Sequence, residues 1–346
     1  MKKIISLLLT LIMVFSLATV AAADENVAGD EEKTLTYVTT VDLAKVYKLS
    51  GQTATNDGIV SYAKSPAETF KFTIEKFSAE ETGLNADGEE ITVKNMPMFE
   101  DAEVEISFVE NEATVGGDKN TTTLNLPTYD AVGIYTYKIT EQASDTAGLS
   151  IDSNVLYLKV TVVEDNGKKY VAALHYADAG TGSKEESITN TYAAGALDVT
   201  KTVTGNLGDK KQPFHFTATF NAPENKVVKS TITYTVAGET QDAPTFTNGV
   251  CTVEFNLAHG ETASFKNLPE GVTYTVTETA FEGYTTTKTG DTGTIADGET
   301  STAAFTNTKE TDVDTGISLD SAPYFLMLAV AVFGMVALVS KKRYEF

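Results

Sequence analysis

The sequence predicts an all-β chain of two tandem β-sandwich domains, preceded by an export signal and followed by a sorting and membrane-spanning segment. Three observations carry this. Short runs alternate apolar and polar residues with a period of two, the mark of half-buried strands. Tyrosine, threonine and valine are plentiful while tryptophan is absent, a composition that favours strands over helices. The same landmarks also occur twice, in the same order, along the chain.

The alternating runs are TFKFTIEKF (69–77), AEVEISFV (102–109), GIYTYKITE (133–141), NVLYLKVTVVE (154–164) and KYVAALHY (169–176). They continue with LDVTKTV (197–203), FHFTATF (214–220), STITYTV (230–236), CTVEFNL (251–257), VTYTVTE (272–278) and TAAFTN (302–307). Gly, Asn and Asp punctuate the gaps, as in NADGEE, EDNGKK and IADGET. Many short strands at this spacing indicate sandwiches of the immunoglobulin kind. The expected first domain covers 24–192 and the second 197–308, with the small-residue stretch AAGA (193–196) as a link.

The ends have other tasks. Lys2 and Lys3, the apolar run from Ile4 to Val20 and the small residues Ala21 to Ala23 form a cleavable signal over 1–23, so the chain is exported. At the other end, 322–339 is almost continuously apolar, and Lys341, Lys342 and Arg343 follow it. Within 317–346 this predicts a membrane span with its basic flank inside; a plain single-pass anchor is the simplest reading.

Composition excludes several functions. The chain has 26 Lys+Arg against 48 Asp+Glu, and its only arginine is Arg343, which argues against nucleic-acid binding. Cys251 is the only cysteine, so an exported protein here lacks any intrachain disulfide. The three histidines (His175, His215, His259) are scattered and no metal-ligand spacing or phosphate-cradling loop occurs, so neither cofactor nor metal is expected.

Six polar residues fall on apolar strand faces. Lys45 shares a phase with Val41, Leu43 and Tyr47, and Lys201 with Leu197, Val199 and Val203. Glu141 follows Tyr135, Tyr137 and Ile139 in step, as Glu278 follows Val272, Tyr274 and Val276. Asn190 lies between Ile188 and Tyr192, and Asn307 two after Phe305. Each alone reads as a snorkelling lysine, an exposed glutamate or a turn asparagine. Two matched sets in the same order argue for burial, which requires that the charges be paired or neutral.

One chemistry uses all three residue types. Burial lowers a lysine pKa to yield a nucleophilic amine, and raises a glutamic acid pKa so that it can polarise an amide and shuttle protons. An asparagine held against that amine can be attacked with release of ammonia, forming an isopeptide bond within one domain. The alternative is a buried Lys–Glu ion pair with an asparagine hydrogen bond and no covalent step.

A lysine in the first strand, a glutamate in YxVTE and an asparagine in a closing FTN, twice in tandem, resemble the Gram-positive major (backbone) pilins with FctA-like, CnaB-type isopeptide domains. The resemblance runs from about Thr34 to Gly316. It implies bonds Lys45–Asn190 and Lys201–Asn307, with Glu141 and Glu278 as the catalytic proton shuttles. It also gives the tail a role. Asp312, Val313, Asp314, Thr315 and Gly316 stand where a sortase motif would, within a recognition segment at 309–316. They depart from LPXTG at the first two positions and lie closer to the EVPTG variant, with Asp314 in place of proline. A calcium loop is the competing reading of the alternating aspartates, and the EF-hand pattern fails here. By the resemblance, cleavage falls between Thr315 and Gly316, and the intersubunit acceptor is Lys184 in GTGSKEESITN, although a solvated surface lysine reads the same way.

The function these features imply is a structural shaft subunit of a covalent, sortase-assembled pilus. The expected partners are copies of itself in a head-to-tail polymer, a pilin-class sortase, the peptidoglycan wall and a host surface. Its expected location is the cell wall and surface, after a transient membrane-anchored precursor. It would not be a turnover enzyme. A wall-anchored adhesin or accessory pilin with the same domains stays open at this point. An extracellular glycan-binding module is less well supported, because no aromatic-lined cleft with paired carboxylates is evident.

Overall fold

The computed structural model describes residues 37–50, 52–55, 58–61, 63–151, 155–179, 183–311, 326–333 and 335. The buried apolar residues form two separate cores, one from Leu43 to Ala194 and one from Leu197 to Phe305. Each core lies between two sheets, as period-two alternation requires.

The first domain contains β1 (Thr40–Leu49), a hairpin of β2 (Gln52–Thr55) and β3 (Gly58–Ser61), then β4 (Glu68–Glu80), β5 (Glu103–Phe108) and β6 (Asp118–Asn125). It continues with β7 (Gly133–Glu141), β8 (Leu149–Ile151), β9 (Val155–Asp165), β10 (Lys168–Tyr176) and β11 (Ser187–Tyr192). One sheet has the order β6-β1-β11-β8 and the facing one β10-β9-β7-β4-β5.

The second domain contains β12 (Ala194–Thr204), β13 (Phe214–Asn221), β14 (Thr233–Val236), β15 (Glu239–Thr240) and β16 (Val250–Leu257). It ends with β17 (Thr262–Pro269), β18 (Thr273–Glu278), β19 (Thr285–Thr289), β20 (Thr292–Thr294) and β21 (Thr300–Thr308). Its sheets run β15-β14-β17-β12-β21-β19 and β16-β13-β18-β20.

In both domains the first strand lies parallel beside the last: β1 on β11, and β12 on β21. Parallel neighbours cannot be joined by a tight turn, so the rest of each domain forms the crossover. The two ends of each domain are therefore side by side in one ladder.

The ladders also give the chain a direction. Leu49 pairs with Tyr192 at the junction, and Ser50 just beyond hydrogen-bonds Asp297 of the second domain. Ala44 pairs with Ser187 further from it. In the second domain Ala196 pairs with Thr300 near the junction and Thr204 with Thr308 at the far end. Lys184, three residues before Ser187, thus lies toward one extreme, and the chain leaves β21 at the other.

The stretch 193–196, expected as a link, runs between the two domains and into a strand. Residues 194–196 open β12, and Ala193 to Ala196 are buried. Their small size has a steric cause. A Cβ on Gly195 would lie 2.3 Å from the Ala296 carbonyl oxygen, and one on Gly148 would lie 2.5 Å from that of Ala193. A side chain at either position would strike backbone.

The signal segment 1–23 and the motif 312–316 lie outside the described residues. Of the expected span 322–339, the described part is an exposed helix at 326–333 together with residue 335. Among the described residues no helix is long and apolar enough to cross a membrane.

Candidate functional site

The parallel ladders place each lysine and asparagine on one face at a fixed offset. Lys45 pairs with Ile188, and Asn190 is two positions further along β11. Lys201 pairs with Phe305, and Asn307 is two further along β21. A two-residue step keeps the side chain on the same face, so all four point into their cores. Lys45, Asn190 and Asn307 are 0% exposed and Lys201 is 1%.

The glutamates come from the facing sheets. Glu141 ends β7 opposite Phe72 of β4, and Glu278 ends β18 opposite Phe216 of β13. Lys45 Nζ donates to Glu141 Oε2 at 2.8 Å, and Lys201 Nζ to Glu278 Oε2 at 2.7 Å. Asn190 Nδ2 donates to Glu141 Oε1 at 2.5 Å, and Asn307 Nδ2 donates likewise to Glu278 Oε1. Each carboxylate therefore bridges the amine and the amide with its two oxygens. The six residues singled out by their phase form two triads of the same design.

Sequence reading missed the aromatic floor. Lys45 Nζ lies 4.5 Å from the ring centre of Phe70, and Lys201 Nζ lies 4.1 Å from that of Phe214. Phe70 and Phe72 repeat as Phe214 and Phe216, one phenylalanine under the amine and one paired with the glutamate. The Phe-x-Phe repeat stood in the sequence as TFKF and FHF, and alternating buried phenylalanines there read as ordinary core.

Burial controls the electrostatics. Removal from water raises the Glu141 pKa above its ordinary value; Lys45 and Asn190 oppose that push without cancelling it. Burial lowers the Lys201 pKa, with Glu278 pulling the other way. Both directions favour the neutral amine and the neutral acid. The carbonyl oxygens of Asn190 and Asn307 are buried with no hydrogen-bond partner. Half a turn of either amide would bring that oxygen to the carboxyl group, where a protonated glutamate could donate to it.

Lys184 lies elsewhere. It is exposed, bridges to Tyr176, and is followed by the exposed Glu185 and Glu186.

Two family models match the chain. Residues 24–193 match the FctA family, described as a Spy0128-like isopeptide containing domain, and residues 195–309 match a domain of unknown function. A pilin of Streptococcus pyogenes serotype M1 is 29% identical over 313 residues, which span 83% of this chain and 88% of the relative. The pilus tip adhesin Cpa of Streptococcus pyogenes is 33% identical over 132 residues, 36% of this chain and 18% of the adhesin. The crystal structure of the major pilin from Streptococcus pyogenes shares the fold, with a TM-score of 0.50 and 23% identity, covering 79% of this chain and 99% of that one.

Proposed function

We propose that the chain, whose residues 24–193 match the FctA family of Spy0128-like isopeptide containing domains, is a shaft subunit of a covalent pilus on a Gram-positive cell. The observation that carries the reading is the duplicated buried triad, which joins the first and last strands of each domain. The second domain, matched by a family of unknown function, carries the same device as the first.

The chemistry proceeds within each triad. The lysine ammonium passes a proton to the glutamate; burial favours the neutral acid at Glu141 and the neutral amine at Lys201. The protonated acid donates to the rotated asparagine carbonyl and polarises it. The neutral amine attacks Cγ, a new Nζ–Cγ bond forms, and the glutamate carries the proton from Nζ to Nδ2. The Cγ–Nδ2 bond breaks and ammonia leaves. Fixed proximity between neighbouring strands replaces an external catalyst. The bonds are Lys45–Asn190 and Lys201–Asn307, each closing a domain where its two ends meet, so tension along the chain falls on a covalent link.

Assembly follows from the polarity of the subunit. Thr315 is the acyl donor, cut from Gly316 by a pilin-class sortase, and Lys184 of the next copy is the acceptor. The support is positional: Lys184 is exposed toward one extreme and β21 leads out at the other. The partial match to the tip adhesin, over 36% of this chain against 83% for the pilin, favours this reading over an adhesin role. Surface extracts should contain high-molecular-weight covalent ladders of this chain, and Lys184→Ala should remove them. Extracts in which the chain runs only as a monomer would contradict the shaft role; ladders that survive Lys184→Ala would move the acceptor to another lysine.

A further inference from the structure

The first triad has an acidic neighbour at a position that is neutral in the second domain. Glu68 on β4 points inward in phase with Phe70 and Phe72, and is 7% exposed. Thr146 Oγ1 donates to its Oε2, and Ser144 Oγ to its Oε1 at 3.4 Å. Its countercharge comes from the second domain: Lys229 Nζ lies 3.3 Å from both Glu68 oxygens and 3.0 Å from Asp145 Oδ1. In the second domain the position two before Phe214 is Gln212, which is neutral.

The segment bearing Lys229 also clasps the loop that leaves Glu141. Val227 N donates to the Asp145 carbonyl at 2.8 Å, and Ala147 N donates back to the Val227 carbonyl at 2.9 Å. Lys226 Nζ donates to the Ser144 carbonyl at 2.8 Å. Ser144 is three residues beyond Glu141, and Phe70, the floor under Lys45, is two beyond Glu68. The second domain therefore holds the supports of the first triad from both sides.

We propose that Lys229 is a positioning residue for the first-domain isopeptide bond, neutralising Glu68 so that Lys45 can react as an amine. The inference rests on the isopeptide reading above. A buried carboxylate without its partner is costly, and its field stabilises a nearby ammonium against deprotonation. The groups that share this field are Lys45 and Tyr47 of β1, Glu141 of β7, Tyr192 of β11, and Asp145, Lys226 and Lys229 from the flanking loops; the Glu68 charge acts on both Tyr47 and Glu141. With Lys229 in place that field is offset. Closure of the first domain is thereby coupled to docking of the second.

The test follows both bonds in the same molecules. The full chain is made by cell-free synthesis across a pH series, quenched at intervals in acid denaturant and digested, and the two cross-linked peptide pairs are quantified by mass spectrometry. Lys229→Met should slow Lys45–Asn190 formation about tenfold, the effect of one unit in an amine pKa, and move its pH profile upward. Lys201–Asn307 formation should keep the parent rate, Lys229→Arg should restore the first bond, and adding Glu68→Gln to Lys229→Met should also restore it. An unchanged first-bond rate and profile in Lys229→Met would overturn the proposal, as would equal slowing of both bonds or failure of both rescues. Absence of both bonds from the parent chain would instead overturn the isopeptide reading itself.

Discussion

Asn190 stands two residues beyond the register partner of Lys45 on the parallel strand beside it, and both side chains enter the same buried face. Asn307 and Lys201 repeat the relationship in the second domain. The offset fixes amine and amide on neighbouring strands, within reach of one glutamate that crosses from the facing sheet.

Removing that glutamate should stop one bond and leave the other. Glu141→Ala is expected to yield protein lighter than its sequence mass by one ammonia rather than two, with Lys45 and Asn190 recovered as separate peptides. Recovery of the Lys45–Asn190 cross-link at parental yield would remove Glu141 from the mechanism.

The first and last strands carry the stability of each domain. Asn190→Ala leaves the first domain without its link, which constrains a loop of roughly 100 residues or more and, by the loop-closure argument used for disulfides, contributes about 5 kcal/mol. Denaturant unfolding should show that loss in the first domain. Parental stability in Asn190→Ala would mean that the strands are not linked.

The unreacted first triad should be sensitive to pH in a defined direction. Burial raises the Glu141 pKa above the ordinary glutamate value, so the folded state binds the proton more tightly than the unfolded chain. Its contribution to stability is therefore fully present below the unfolded value and lost as pH rises through the raised one. The Asn190→Ala protein should lose stability with rising pH across that window more steeply than Asn190→Ala combined with Glu141→Gln, measured by unfolding midpoints. Parallel profiles would show that Glu141 is not shifted.

The aromatic floor should matter for packing and for dryness. Phe214 is buried beneath Lys201 and touches Phe281 and Tyr284, which lie over the far end of the second domain. Phe214→Ala should cost about 3–5 kcal/mol and lower the yield of Lys201–Asn307 by letting water reach the amine. Peptide mapping would show the cross-link undiminished if the floor were only core filling.

Both triads were legible in the sequence because a strand face has a strict period of two. A lysine in phase with Leu197 and Val199 has nowhere to point but inward, and the duplicate order made coincidence a poor explanation. The Phe-x-Phe floor carried no such mark, since phenylalanine on a buried face is what any core contains. Glu68 was hidden by its place at the start of β4, where a charge usually meets water; its partner Lys229 is 161 residues away on the second domain. Strands such as β6 (DKNTTTLN) and β19 (TTTKT) escaped reading for the opposite reason. They are threonine-rich and largely exposed, so their pairing leaves little apolar alternation. The AAGA stretch was legible as the join between the domains, whereas its burial and its place at the start of β12 were not, because small residues suit a loose link and a tight contact equally.

The intact mass of the protein from Asp24 to Thr315, measured after denaturation, tests the central claim most directly. Two closed domains give a mass below that of the sequence by two ammonia molecules, and digestion should return Lys45 joined to Asn190 and Lys201 joined to Asn307. A mass equal to that of the sequence would contradict the account and leave two buried ion pairs in place of two bonds.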